Sequence, residues 1–195
     1  MLSAQPSAEC RVCGRSFLRF NTMQAVCGAQ CAQRVGPLQR KASAKAKSDE
    51  CKKTRDALEA LKTVPQLKKA AQVAFNAFIR ARDANQPCIS CGAPPPDLSG
   101  LHAGRDAGHY RSTGSADHLR FNEANCHAQC VKCNQWGAGR AVDYRIGLVR
   151  RIGLSAVEGL ETNNDPVKWQ RDELRAIRDM YRRRTRELNK RMENQ

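Results

Sequence analysis

Apolar side chains return at helical intervals in two stretches of the chain. From Leu67 they recur at Ala70, Ala71, Ala74, Phe75 and Phe78. That spacing gathers them on one face and predicts an amphipathic helix ending near Ala84. Pro65 breaks or restarts the helix before it. The second stripe, Leu174, Ile177, Tyr181, Leu188 and Met192, predicts a last helix over 166–193. Asp165 would cap it, with Pro166 in its first turn. Ser155-Ala156-Val157-Glu158 reads as a capping box for an earlier helix. Short segments around 105–111 and 124–129 predict a β-hairpin, and a helix should follow Cys133. Pro94-Pro95-Pro96 excludes regular structure there. Residues 38–64, rich in Lys, Ala and Ser and then in helix formers, read as a basic helical linker or as a solvated tether.

The cysteines change this picture. Eight of the ten fall into two sets, Cys10-x2-Cys13 with Cys27-x3-Cys31 and Cys88-x2-Cys91 with Cys130-x2-Cys133. Pairs at this spacing aim their thiolates at one point and suit a structural zinc ion, which four thiolates close off from chemistry. Only 5% of the residues are aromatic, so zinc replaces core energy that a small domain lacks. Phe17 and Phe20 are candidates to pack over the first metal, and Cys31 should begin a short helix. Cys51 reads as a bystander and Cys126 as a spare buried thiol. Disulfides are the rival reading, disfavoured by the spacing and by an N-terminus without a secretory pattern. A cytoplasmic location follows as the expectation.

A formal net charge of +15 and a pI near 9.8 point to a polyanionic partner. No run approaches about 18 apolar residues, so no membrane span is expected. The segment 39–55 holds seven basic against two acidic residues, and 166–195 holds ten against five, densest at Arg182-Arg183-Arg184.

The second cysteine set encloses chemistry. Asp106-Ala107-Gly108-His109, Asn125 and His127 lie inside its 38-residue loop, and Asn134 follows its last cysteine. Phosphodiester hydrolysis needs a base for water and a cation for the developing charge. His109 offers the base, and Asp106 and Asn134 offer oxygen ligands to Mg²⁺ or Mn²⁺. Other roles stay open: His109 as a zinc ligand or packed histidine, Asp106 as a turn cap, Asn134 as a helix cap, and His127 as a packed or phosphate-contacting residue. Arg111, Arg120 and Arg140 could hold phosphates. His118 and His102 read as surface residues.

The order Cys88-x2-Cys91, His109, Asn125, Cys130-x2-Cys133-Asn134 resembles zinc-bound HNH (ββα-metal) endonucleases. The resemblance implies His109 as general base, Asn125 as the residue that ties the hairpin loop and orients it, and Asn134 as a ligand of the catalytic metal. The Cys-Asn ending also looks like phage recombination endonuclease VII. The runs Asp106-Ala107-Gly108-His109-Tyr110-Arg111-Ser112 and His118-Leu119-Arg120-Phe121-Asn122-Glu123-x-Asn125-x-His127-x-Gln129-Cys130 resemble the lambdoid-phage NinG (Rap) recombination proteins over most of the chain. That resemblance implies an endonuclease acting on branched recombination intermediates such as Holliday junctions and D-loops. One departure stands out. Many zinc HNH enzymes place an acidic metal ligand immediately before the histidine, where this chain has Gly108. Asp106 or His127 is the candidate substitute.

The expected architecture is mainly α with small β. It comprises an N-terminal four-cysteine zinc finger (1–37), a basic linker with an amphipathic helix (38–85), a zinc-bound HNH-like module (86–140) and a basic helical region (141–195). Two structural Zn²⁺, a catalytic Mg²⁺ or Mn²⁺, and DNA, branched in form, are the expected ligands. A homodimer through the helices 67–84 and 166–193 and phage or host recombination partners are further expectations, and the same helices could instead pack within one chain. A non-catalytic zinc-finger DNA-binding or adaptor protein is the rival reading. An RNA-processing nuclease would share the chemistry.

Overall fold

The computed structural model describes residues 7–95 and 104–194. Pro96 and His102 lie outside them. The chain forms two compact units, Met1–Leu61 and Lys62–Gln195. The break falls inside the 38–85 region that the sequence groups together. The reason is packing: the helix before it buries no residue, whereas the helix after it has its apolar face covered.

In the first unit, strands β1 (Ser7–Glu9) and β2 (Ser16–Leu18) pair antiparallel, Ala8 opposite Phe17. Cys10 and Cys13 lie between them. Helix α1 (Ala29–Leu61) carries Cys31 in its first turn. It runs 33 residues, far beyond the short helix expected after Cys31, and tolerates Pro37. Ala, Lys, Arg and Gln, all strong helix formers, make up much of it. Phe20 is 86% exposed, so it does not pack over the metal; Phe17 is half-buried.

In the second unit, helix α2 (Val64–Arg82) buries Leu67, Ala71, Ala74, Phe75, Phe78 and Ile79, the predicted stripe. Its partner is helix α5 (Arg171–Glu193), through Leu174 and Tyr181. The two stripes therefore cover each other within one chain. Tyr181 stands edge-on to Phe75, ring centroids 5.0 Å apart. Met192 is 42% exposed, so the stripe ends at Leu188, the last of its residues in this core.

Strands β3 (Arg105–His109) and β4 (Cys126–Cys130) form the predicted antiparallel hairpin, with Asp106 opposite Gln129 and Gly108 opposite His127. Ala107 and Cys126 face the α2–α5 core. On its other side lies helix α3 (Ala141–Ile152), whose buried Tyr144 hydroxyl donates to Gly108 O at 2.7 Å and accepts from His127 N at 3.0 Å. Helix α4 (Leu154–Thr162) closes a second core of Ile89, Leu119, Leu148 and Val157. Around Cys133 the chain makes one π-helical turn, Lys132–Trp136, and α3 begins only at Ala141.

Two predicted helix starts move. Gly153, at φ +86°, is the only residue between α3 and α4, so Ser155 falls inside the first turn and caps nothing. Asp165-Pro166 does not start α5. Asn163 O accepts from His118 and Arg111, and Trp169 packs edge-on to Phe121 at 5.0 Å. These contacts hold 163–169 outside the helix. The start passes to Gln170, whose N–H donates to Glu173 Oε2 at 2.9 Å. Among the described residues no helix is long and apolar enough to cross a membrane.

Candidate functional site

The two cysteine sets each converge. Within each group all four sulfurs lie within 4.8 Å of one another. Cys13–Cys27, Cys27–Cys31 and Cys91–Cys130 sulfurs are 3.6, 3.7 and 3.8 Å apart. Four thiolates about 2.3 Å from a zinc ion make a tetrahedron with edges of about 3.8 Å. A disulfide would need about 2 Å. The groups therefore fit zinc. The knuckles are built alike. Gly14 and Gly92, both at φ +71°, donate to Cys10 O and Cys88 O at 2.9 Å. Such a φ suits glycine and turns the chain behind the thiolates. Burial favours the neutral thiols of Cys10 and Cys88, but backbone N–H groups outweigh it. They lower Cys10 and Cys88, while the neighbouring thiol of Cys27 pushes Cys31 up and burial pushes Cys133 up, so within each group the thiols ionise unequally.

Beside the second group, Asp106 meets Asn134. Asp106 Oδ2 accepts from Asn134 Nδ2 and from Gln135 Nε2, each at 2.9 Å. The hairpin supplies the carboxylate and the π-helical turn supplies both amides. Turned over, the amides would present oxygens next to the carboxylate, a donor set that suits a hard divalent ion.

His109 does not join this cluster. It lies three residues after Asp106 on β3, and successive strand side chains alternate faces. Its Nε2 lies 3.0 Å from Arg120 O, its Nδ1 3.6 Å from the buried Cys126 Sγ, and its ring centroid 5.8 Å from that of Phe75. Burial lowers its pKa below 6.5, helped by the Arg120 charge and opposed by backbone contacts. The ring is therefore neutral at neutral pH. It sits in the last position of β3, where the strand opens into the loop.

Asn125 is fully buried and ties that loop. Its Oδ1 accepts from Arg111 N at 2.8 Å, and its Nδ2 donates to Arg111 O and Leu119 O at 3.0 and 3.2 Å. His127 is drawn elsewhere. Its Nδ1 lies 3.0 Å from Arg82 Nη2, 3.4 Å from Asp83 Oδ2 and 3.4 Å from Arg151 Nη1. Its Nε2 is buried with no hydrogen-bond partner among the described residues, and burial lowers its pKa. It helps pin the hairpin to the end of α2 rather than complete the Asp106 cluster.

The arginines also differ from expectation. Arg111 is spent on the carbonyls of Leu160 and Asn163, and Arg120 on Asp117, Gln72 and Thr113 O. Arg140 pairs with Asp143 and stays partly exposed. His118 is half-buried rather than on the surface.

The comparisons with known proteins decide the family. The family model described as Bacteriophage Lambda NinG protein matches residues 3–193. The chain belongs to the NinG family. Protein ninG of Escherichia phage 933W is 48% identical over 120 residues, 62% of this chain and 57% of that protein. Protein ninG of Escherichia phage lambda is also 48% identical over 120 residues, 62% of this chain and 56% of its own length. Protein ninG of Salmonella phage P22 is 46% identical over the same shares. The matched stretch thus spans a little over half of each relative. No solved structure matches.

In this NinG chain, sequence reasoning missed Gln135, Gln129 and Asp83. Gln135 adjoins Asn134, and the adjacency was its only signal. Gln129 is buried and donates through Nε2 to Ser90 Oγ and Gly139 O, both at 2.7 Å. Asp83 Oδ2 accepts from Ala128 N at 2.9 Å. No spacing rule marks either residue.

Proposed function

We propose that this chain is a metal-dependent DNA endonuclease that cuts branched recombination intermediates in phage DNA. The observation that carries the reading is the meeting of Asp106 with Asn134 and Gln135 on a cysteine-stapled hairpin and turn. A structural zinc finger needs no carboxylate with two side-chain amides converging on it. In this reading Asp106, with the amides of Asn134 and Gln135 turned to present oxygen, would hold Mg²⁺ or Mn²⁺, and the ion would stabilise the charge on the leaving 3′ oxygen. His109 would take a proton from water as that water attacks phosphorus, which requires its ring to turn from the place where Nε2 meets Arg120 O and Nδ1 the buried Cys126 Sγ. Asn125 fixes the loop that carries Arg120. The two zinc ions shape the scaffold. The charge of +15 supplies affinity for DNA, a partner in keeping with the phage relatives.

A second reading has its own observation. His109 and Asp106 leave opposite faces of β3, as they would in a non-catalytic DNA-binding protein with a packed histidine. One experiment separates the two. End-labelled four-way junction and linear duplex are incubated with zinc-replete protein, with and without Mg²⁺ or Mn²⁺, beside His109→Ala and Asp106→Asn. Metal-dependent junction cutting by wild type alone, with binding retained in both variants, is the expected result. Tight binding without cutting by any of the three, in either metal, would leave the binding-protein reading.

A further inference from the structure

Trp136 is 82% exposed. It is one of only two tryptophans in the chain, and the other, Trp169, packs on Phe121. A ring of this size normally gains by leaving water. Here the fold works to keep it out. Its π-helical turn is clamped on one side by the buried Cys133, a ligand of the second zinc group, and by the reach of Asn134 and Gln135 to Asp106. The turn is closed behind it by Gly137 N donating to Lys132 O at 2.9 Å and Gly139 N to Cys133 O at 3.1 Å. The chain then doubles back through Ala138 at φ +49° and Arg140 at φ +47°. Side chains other than glycine cost on the order of 1 kcal/mol each in that region. These contacts and turns fix the backbone that carries the exposed indole.

We propose that Trp136 is a stacking platform for an unpaired DNA base next to the scissile phosphate, and so a determinant of selectivity for branched over continuous duplex DNA. The proposal rests on the DNA-cleaving reading above and extends it. The bases of a continuous duplex already stack on each other and offer no free face. At a branch point a base can leave the stack, and an aromatic ring beside the cutting site captures it without reading its identity. The surroundings suit a nucleic acid. Lys132 is exposed next to the ring on the same turn, and the partly exposed Arg140 follows four residues on. Lys132 can meet a phosphate while the indole meets the base, and Arg140, though paired with Asp143, adds positive charge beside it. Asn134, which reaches Asp106, is two residues from Trp136, so the base platform shares one turn with the amides of the proposed metal site.

The test uses the full chain, zinc-replete and without added Mg²⁺ or Mn²⁺, so that binding is read apart from cutting. Labelled four-way junction, single strand and continuous duplex are titrated with wild type, Trp136→Phe and Trp136→Ala. Affinity is followed by anisotropy and stacking by quenching of tryptophan emission. The expected result is quenching of wild type by junction and single strand, absent in Trp136→Phe. Trp136→Ala should lose about 10-fold in affinity for junction and single strand, with duplex affinity within about twofold, and Trp136→Phe should recover part of the loss. Zinc content and circular dichroism check that each variant folds. Equal losses on all three DNAs, or no loss on any, would overturn the platform. A change of oligomeric state in sedimentation of Trp136→Ala would reassign the ring to a second copy and overturn it as well. Failure of wild type to bind any of the DNAs would instead remove the DNA reading on which the platform rests.

Discussion

A β-carbon added to Gly108 would lie 2.2 Å from Gln129 Oε1 and 3.0 Å from Gln129 Cβ. Gln129 cannot yield cheaply, because it is buried and both its Nε2 bonds tie the first knuckle, at Ser90, to the chain after the second, at Gly139. The space that a side chain at position 108 would need is thus filled by a neighbouring amide, which accounts for the glycine. Gly108→Ala and Gly108→Asp should each cost about 2 kcal/mol of stability, read from chemical unfolding of zinc-loaded protein. Gln129→Ala removes the 2.2 Å approach but keeps the β-carbon at 3.0 Å, so it should be destabilising alone yet make Gly108→Ala cost less on top of it. Additive losses in the double variant would show that the two residues do not compete for one volume.

The sulfur geometry predicts metal content. Wild type should bind two zinc ions per chain, and Cys10→Ser or Cys88→Ser should each lower the count to one, by mass spectrometry of dialysed protein. Loss of the second zinc should also unfold the β3–β4 hairpin, because Cys88 Sγ accepts from Cys130 N at 3.3 Å and Ile89 N donates to Ala128 O at 3.1 Å. Hydrogen exchange on 126–130 would report it. Cys126→Ser should keep both ions. Cys126 is buried against the α2–α5 core, and burial pushes its thiol well above the usual range, so it remains a neutral core side chain.

What the sequence made legible was the periodic and the paired. The stripe from Leu67 to Phe78, the hairpin and both cysteine groups depend on spacing between residues close in the chain, and spacing is visible there. The failed helix starts have a different cause. Asp165-Pro166 has the right local chemistry, but Arg111 and His118, some 50 residues upstream, hold Asn163 in a non-helical path. Gln129 and Asp83 were invisible for the same reason: their roles exist only once distant segments meet. The sequence pairs Asn134 with Asp106 or His127, and the structure brings Asn134 to Asp106. The separation of His109 from that pair was not anticipated, although the three-residue offset on a strand already implied opposite faces.

Asp83 carries a prediction about acid. Burial would raise its pKa, but contacts with His127, Arg82 and the Ala128 N–H outweigh burial and hold it well below 3.8. A depressed carboxylate contributes stability that is complete above its unfolded pKa and is lost as pH falls through the folded one. Asp83→Asn should therefore cost about 3 kcal/mol at pH 7, since it leaves Arg82 and Arg151 without their buried anion. The gap between wild type and variant should close as the pH is taken below 3.8. Urea unfolding of both zinc-loaded proteins at pH 7 measures the cost. Zinc content is followed as the pH is lowered, because zinc loss would itself free the strand that carries His127 and Ala128. Equal stability of the two proteins at pH 7 would show that the Asp83 charge contributes nothing.

The proposed base makes a prediction about rate. Burial, aided by the Arg120 charge, depresses His109 below 6.5, against the pull of its backbone contacts. A base works in its neutral form, so a lowered pKa keeps it active at lower pH than an unperturbed histidine. Single-turnover cleavage of a junction should stay level from neutral pH down through 6.5 and fall only below that value. His109→Ala should lower the rate by about 100- to 10,000-fold and abolish that acid limb while leaving junction affinity unchanged. Asp106→Asn should also lower the rate, but keep the limb and raise the Mg²⁺ concentration needed for half-maximal cutting. If the limb survives in His109→Ala, the titrating base lies elsewhere, and His109 serves only to pack Phe75 against the hairpin.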